Sequence, residues 1–170
     1  MNIQEHIAVI KDFPRKGVVF KDISPIFLHP KAFKELIGEL AQKIRPLGAT
    51  KIFAAEARGF LFGAPLSIEL GIPLVLVRKK GKLPRKTAEV SYDLEYGTDT
   101  LCVHTDDVSP DDKILIFDDI LATGGTAGAM CRLAENLGAS VCACAFIMEL
   151  SFLNGRGKLA GKKVISMRIE

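Results

Sequence analysis

Residues 114–126 read ILIFDDILATGGT and form the most informative segment of the sequence. Residues 114–117 are four consecutive large apolar side chains, a pattern typical of a short buried strand. Two carboxylates, Asp118 and Asp119, follow this predicted strand directly, and a loop with two adjacent glycines leads into an apolar helical pattern. Because open α/β sheets bind ligands just beyond the carboxyl ends of their strands, this order predicts a ligand site at the two carboxylates.

The adjacent carboxylates indicate what kind of ligand binds there. Their negative charges repel each other, so the site needs bound hydroxyl groups, a cation or a nearby base to compensate them. A sugar diol and Mg²⁺ would both serve. Two other Asp-Asp pairs, at 106–107 and 111–112, lie among turn residues and require nothing beyond solvation.

The loop after the carboxylates is suited to a phosphate. Thr123 and Thr126 flank Gly124 and Gly125 at the start of the predicted helix. Glycine lets the backbone approach a ligand closely, and the free amides and positive dipole end of a helix favour a phosphate. Carboxylates for a sugar and a loop for its phosphate together predict a phosphorylated ribose site. The spacings G-x-x-x-x-G-K-[ST] and G-x-G-x-x-G are absent, which argues against a P-loop ATPase and a dinucleotide-binding fold.

The rest of the sequence predicts one doubly wound α/β domain over residues 1–170. Apolar residues recur with helical spacing after Pro30, and short apolar runs alternate with the helical segments. We expect helices over 31–45, 65–70 and 130–137, and strands over 51–55, 73–77, 101–104, 114–117 and 141–148. This order favours a parallel sheet flanked by helices on both faces.

Composition and charge argue against two classes of protein, those that bind membranes and those that bind nucleic acids. No window is apolar and free of charge over the ~18 residues that a membrane span needs, and residues 1–6 lack the basic start of a signal peptide. We therefore expect a cytoplasmic protein with no membrane partner. The net charge of +3 is concentrated in residues 78–86, which carry six Lys or Arg side chains. So short a basic segment does not provide a nucleic-acid-binding face.

Residues 114–126 resemble the phosphoribosyl pyrophosphate signature of type I phosphoribosyltransferases, in the Asp-Asp-x-Leu-Ala-Thr-Gly-Gly-Thr form of the adenine-specific branch. Residues 13–25, 56–63, 78–84 and 92–97 resemble the same branch in order and spacing. The resemblance implies the fold of that family, with a small hood at about residues 1–30 and a flexible lid loop at about residues 79–96. It also implies transfer of phosphoribose to adenine, giving AMP and pyrophosphate, with Mg²⁺ as cofactor and a homodimer as the assembly.

The resemblance further implies how adenine is bound. Phe20 would stack on the base, main-chain groups of Val19 and Lys21 would read its polar edge, and Leu150 would close the other face of the ring. From residue type alone, the alternative that Val18, Val19 and Phe20 are ordinary core residues stays open.

For phosphoribosyl pyrophosphate, the resemblance implies contacts from the carboxylates, the glycine loop and the basic segment. The implied residues are Arg58, Arg78, Lys79, Lys82, Tyr96, Asp118, Asp119, Ala122, Thr123, Gly124, Gly125 and Thr126. The basic side chains would neutralise the pyrophosphate beside Mg²⁺, and in this family they often come from the neighbouring subunit; a merely solvated basic loop is the alternative. No direct metal ligand is expected, because the substrate would hold most of the Mg²⁺, with Asp118 and Asp119 reaching it through water.

Two residues are implied to act in catalysis, Arg58 and Glu95. Arg58 would contact the pyrophosphate and the base, and the family sometimes holds the preceding peptide, here Glu56–Ala57, in the cis form. Glu95 would accept or relay a proton at the imidazole ring of adenine, with a surface glutamate as the alternative. Displacement at the anomeric carbon is expected to pass through an oxocarbenium-like state.

Two other functions stay open at this point. One is the same reaction on hypoxanthine, guanine, xanthine or orotate, against which the base-reading residues argue. The other is a regulator that senses phosphoribosyl pyrophosphate without catalysis. We expect no such regulator, because those proteins add a nucleic-acid-binding module or a basic surface for which these 170 residues leave no room.

Overall fold

A computed structural model of the protein describes residues 3–93 and 97–170. The helices are α1 (Pro30–Ile44), α2 (Arg58–Leu70) and α3 (Gly125–Asn136). The strands are β1 (Ala8–Lys11), β2 (Val19–Asp22), β3 (Lys51–Ala55), β4 (Leu74–Lys79), β5 (Thr87–Asp93), β6 (Thr98–His104), β7 (Lys113–Leu121), β8 (Ser140–Glu149) and β9 (Val164–Ile169).

Seven strands form one sheet in the order β5-β6-β4-β3-β7-β8-β9. The neighbours β4, β3, β7, β8 and β9 are parallel, and β6 and β5 continue the sheet in antiparallel pairing. Parallel pairing brings the carboxyl ends of β3, β7 and β8 to one edge of the sheet. The predicted α/β fold with a mainly parallel sheet is confirmed.

Helices cover both faces of this sheet, as predicted. Helices α1 and α2 pack on the face that carries Ile52, Ala54 and Phe117. Helix α3 packs on the other face, which carries Phe53 and Ile116. Since successive strand residues point to opposite faces, a strand covered on both sides needs apolar residues at consecutive positions. This is why residues 52–55 of β3 and 114–117 of β7 appear in the sequence as unbroken apolar runs.

Helix α2 begins at Arg58, whereas the sequence predicted its start at Pro65. Two glycines before the proline weaken the helical signal. In the structure these glycines permit close packing: a Cβ on Gly59 would lie 3.0 Å from Oδ1 of Asp118, and one on Gly63 would lie 3.0 Å from Cβ of Ala54. The early start places Arg58 at the first turn of α2, beside the carboxyl end of β7.

Two strand pairings outside the parallel sheet were not predicted. Strands β1 and β2 form a separate antiparallel hairpin within the segment expected to be a hood. Strand β5 lies within the segment expected to be a lid, where alternating Ala88, Val90 and Tyr92 pack against the α3 side of the core. The division of the chain into hood and lid stays a prediction.

Candidate active site

A cavity of about 1110 Å³ lies at the carboxyl edge of the parallel strands. Residues 17–21 line it from the hairpin, and residues 55–58 line it from the turn between β3 and α2. The end of β7 and the segment after β8, including Leu150, complete the walls. The cavity thus brings together segments that are far apart in the sequence. From the family resemblance, each of them was expected to bind adenine or phosphoribosyl pyrophosphate.

The two carboxylates lie within β7, not after it as the sequence analysis expected. Pairing with β8 continues past them, since Asp118 pairs with Phe146 and Ile120 with Met148. The apolar run that predicted the strand ends at residue 117, but the hydrogen-bonded ladder does not. The sheet therefore fixes the backbone of both carboxylates.

Arg58 compensates the acidic pair. Its Nε lies 2.5 Å from Oδ2 of Asp119, whose side chain is buried. The amide of Asp119 donates a hydrogen bond of 2.9 Å to Oδ1 of Asp118. Burial, together with the negative charge of Asp119, raises the pKa of Asp118 well above its ordinary value, and Arg58 partly offsets this. The sequence left three groups open as compensation for the two negative charges: bound hydroxyl groups, a cation or a nearby basic side chain. The protein itself supplies the basic side chain, Arg58.

The glycine loop lies next to the carboxylates, at the N-terminus of α3. Residues 123–126 line a small cavity of about 70 Å³, which also borders Asp118 and Ala122. Gly124 caps the helix with φ = 79°, a left-handed conformation that favours glycine. A Cβ on Gly124 would also overlap the carbonyl oxygen of Gly155. As the start of a helix, the loop directs backbone amides and the positive end of the helix dipole toward an anion.

The residues expected to bind a base line the same cavity as the carboxylates. Phe20 and Leu150 both line it, as do Val19 and Lys21. Val19 is 51% exposed and Phe20 is only partly buried, so the alternative that they are core residues is wrong. The guanidinium carbon of Arg58 lies 6.0 Å from the centre of the Phe20 ring, so Arg58 is close to both Phe20 and the acidic pair.

The basic segment contributes one side chain to this cavity. Lys79 lines it, and its Nζ lies 3.0 Å from Oδ2 of Asp99, which raises the pKa of Lys79. Arg78 instead pairs with Glu56, with Nε 3.0 Å from Oε2, and its Nη1 donates to the carbonyl of Lys82. Among the described residues, the cavity lining includes neither Arg78 nor Lys82. Of the three basic residues predicted to contact the pyrophosphate, the structure therefore places Lys79 at the cavity and the other two beside it.

Two predicted site residues lie outside the described residues, and two aromatic residues of the cavity were not predicted from the sequence. Glu95 and Tyr96 fall outside the described residues. Tyr92 lines the cavity, and its hydroxyl lies 3.4 Å from Oγ1 of Thr126. Phe152 also lines it although it is 72% exposed, and neither aromatic was predicted. The Glu56–Ala57 peptide is cis, as the family resemblance implied.

The chain is similar in sequence to known phosphoribosyltransferases. A model of the phosphoribosyl transferase domain family matches residues 26–167. An adenine phosphoribosyltransferase of Carboxydothermus hydrogenoformans is 51% identical over 167 residues, covering 98% of each chain. One from Maridesulfovibrio salexigens is 50% identical with the same coverage.

Solved structures agree with the sequence relatives. The adenine phosphoribosyltransferase of Thermoanaerobacter pseudethanolicus superposes with a TM-score of 0.95 at 48% identity, covering 99% of this chain and 98% of the other. The enzyme of Saccharomyces cerevisiae, in complex with adenine and an imino-altritol bisphosphate, gives a TM-score of 0.91 at 36% identity, covering 97% and 96%. The resemblance read from the sequence is confirmed by both comparisons.

Proposed function

Since the chain belongs to the adenine phosphoribosyltransferases of the phosphoribosyl transferase family, we propose that it joins adenine to the ribose of phosphoribosyl pyrophosphate. The reaction forms AMP and releases pyrophosphate. One observation of this chain supports it above all: a single cavity is lined by Phe20 and Leu150, the residues proposed to enclose the base, and by the paired carboxylates Asp118 and Asp119. The glycine loop beside the carboxylates provides the place for the 5′-phosphate.

In this mechanism the protein positions two reactants and supplies no nucleophile. A ring nitrogen of adenine attacks the anomeric carbon while the bond from that carbon to pyrophosphate breaks, through an oxocarbenium-like state. The acidic pair holds the ribose hydroxyls, and Arg58, between Phe20 and Asp119, lies at the junction of base and sugar. Holding both reactants in line and excluding water are the main contributions of the site.

The proton of the attacking ring nitrogen needs an acceptor, and we assign this role to Glu95. The test is the variant Glu95→Gln, which keeps the shape of the side chain and removes its basicity. A large fall in kcat with little change in KM supports the role. An unchanged kcat removes Glu95 from the mechanism.

The residues of the site fit a Mg²⁺ ion that the substrate brings with it. Mg²⁺ prefers oxygen ligands and keeps several waters. Asp118 and Asp119 would hold it through such waters, because no cluster of three or more His, Cys, Asp or Glu side chains among the described residues is arranged for direct binding. When bound, the ion would neutralise charge on the departing pyrophosphate. Chelation of Mg²⁺ is expected to abolish turnover.

We also propose a homodimer. Helix α2 and the neighbouring β4 expose the apolar side chains of Leu61 (54%), Ile68 (84%) and Leu76 (41%). Leu61 and Ile68 are seven residues apart and therefore lie on one face of α2, and exposed apolar side chains that share a face are typical of a subunit interface. A partner copy on this face would cover them, and the partner is the proposed source of further basic groups for pyrophosphate. Light scattering of the wild type against Ile68→Lys tests this: the wild type should have twice the monomer mass, and the variant should not.

A cytoplasmic location stays part of the proposal, as does the expectation of neither a nucleic-acid nor a membrane partner. No helix in the described ranges is long and apolar enough to cross a membrane.

The reaction itself is tested by incubating the protein with Mg²⁺, phosphoribosyl pyrophosphate and one base at a time. We expect AMP and pyrophosphate in equal amounts from adenine, and no nucleotide from hypoxanthine, guanine, xanthine or orotate. A nucleotide from another base would contradict the assignment of Phe20 and Leu150. Binding of phosphoribosyl pyrophosphate without any turnover would point to a regulator.

A further inference from the structure

We propose that Glu170 is a positioning residue that fixes the spacing between the two walls of the base slot. This inference rests on the proposed function, because it concerns the slot in which adenine binds. One wall is Phe20 on β2, and the other is Leu150 after β8. Glu170, which follows β9, is hydrogen-bonded to residues that adjoin both walls.

The main chain of Glu170 holds the Leu150 wall. Its amide donates to the carbonyl of Glu149 at 2.9 Å. Its carbonyl oxygen accepts from the amide of Ser151 at 3.0 Å and from Oγ of Ser151 at 2.7 Å. Glu149 and Ser151 immediately precede and follow Leu150, so the backbone of this wall is tied to Glu170 on both sides.

The side chain of Glu170 holds the Phe20 wall. Nζ of Lys21 donates to Oε2 at 3.1 Å, and Nε of Arg168 donates to Oε1 at 3.0 Å. The side chains of Lys21 and Glu170 are only 21% and 18% exposed. Hydrogen bonds from Arg168 and Lys21 lower the pKa of Glu170, so the carboxylate stays charged at neutral pH.

The hairpin that carries Phe20 needs such a link. Strands β1 and β2 form a two-stranded sheet of their own, and an isolated hairpin is marginally stable. A planar base gains dispersion energy from both walls only when each lies about 3.5–4 Å from it. The ion pair between Lys21 and Glu170 ties the hairpin to the body of the protein one residue away from Phe20. Loss of that tie should weaken adenine binding and leave the phosphate end of the site unaffected.

The test is steady-state kinetics of the full chain for Glu170→Gln, Lys21→Met and the double variant. We expect each single change to raise KM for adenine about three- to tenfold, with KM for phosphoribosyl pyrophosphate and kcat changed less than about twofold. The double variant should be no worse than either single variant, because both remove the same interaction. Lys21→Arg keeps a cation opposite Glu170 and should restore most of the affinity for adenine that Lys21→Met loses.

The pair between Lys162 and Glu135 provides a matched control, since neither residue lines the cavity. Lys162→Met should leave both KM values unchanged. Urea unfolding of every variant separates positioning from stability; if Glu170→Gln does not fold, Lys21→Met and Lys21→Arg still decide the question.

Two results would overturn the inference while leaving the proposed function intact. One is an unchanged KM for adenine in Glu170→Gln and Lys21→Met. The other is an equal rise in KM for both substrates that follows the loss of stability, which indicates an ordinary structural pair. Absence of AMP with the wild-type protein would refute the proposed function and this inference with it.

Discussion

Replacing Arg156 with Met should reveal the free-energy cost of leaving a buried carboxylate near the glycine loop without its cation. Glu149, at the end of β8, is 4% exposed. Its carboxylate accepts hydrogen bonds from Nε of Arg156 at 2.6 Å, from Nη2 of Arg156 at 2.8 Å and from Oγ of Ser166 at 2.6 Å. Arg156→Met leaves this carboxylate with the Ser166 hydroxyl and without a cation.

The expected loss of stability is about 2–3 kcal/mol at neutral pH. Removing one partner of a fully buried ion pair costs about 3–5 kcal/mol. Because the Arg156 side chain is 47% exposed and the Ser166 bond remains, we expect less than that range. Glu149→Gln should cost less than Arg156→Met, since the arginine can turn to solvent whereas the buried carboxylate cannot.

The pH dependence has a definite sign. The hydrogen bonds from Arg156 lower the pKa of Glu149 below its ordinary value, against the opposing effect of burial. The stabilisation is therefore complete above the pKa of an unfolded glutamate and is lost as pH falls through the lower, folded pKa. The difference in stability between wild type and Arg156→Met should be largest at pH 7. It should shrink as the pH falls and the Glu149 carboxylate becomes protonated, first in the variant, where burial acts without Arg156, and then in the wild type.

Urea unfolding at pH 7 and at low pH measures this effect. The double variant Arg156→Met with Glu149→Gln is the control, and it should be more stable than Arg156→Met alone because no unpaired charge remains. A loss under about 0.5 kcal/mol at pH 7, the usual range for a surface substitution, would refute the reasoning. A loss that is the same at both pH values would refute the role assigned to the Glu149 carboxylate.

Three further substitutions test the parts of the active site. Gly124→Ala places a Cβ at φ = 79° and against the carbonyl of Gly155, so KM for phosphoribosyl pyrophosphate should rise at least about tenfold, with a stability loss of about 1–2 kcal/mol by urea unfolding. Asp119→Asn removes the partner of Arg58, and kcat/KM should fall on the order of 100-fold, as for other preorganised charges in active sites; a fall under threefold would contradict the role of the acidic pair. Phe20→Ala should raise KM for adenine about tenfold, because stacking of a base on an aromatic ring contributes about 1–3 kcal/mol, and an unchanged KM would remove Phe20 from the base slot.

The sequence predicted those features that depend on neighbouring residues. The apolar run of β7, its two carboxylates and the glycine loop form one continuous stretch, and the structure places the carboxylates and the loop beside each other as that stretch predicted. Their binding of a ribose phosphate stays a prediction. Consecutive apolar residues likewise predicted β3 and β8, because strands covered by helices on both faces need them.

Features that depend on contacts between distant residues could not be predicted. The start of α2 was placed too late, because the glycines at 59 and 63 suit a helix only when β3 and β7 pack against them. Arg58 and Asp119 lie in segments that are far apart in the sequence. The pattern of neither segment shows which basic side chain pairs with which carboxylate. Strand β5 lies at the sheet edge among charged residues, where a half-exposed strand differs little from a loop in composition.

The most direct test of the account is the structure of the protein crystallised with AMP. We expect the adenine ring between Phe20 and Leu150, the ribose hydroxyls on Asp118 and Asp119, and the phosphate against residues 123–126 at the start of α3. AMP bound with its base outside the slot, or with its phosphate away from the glycine loop, would contradict the assignment of the cavity.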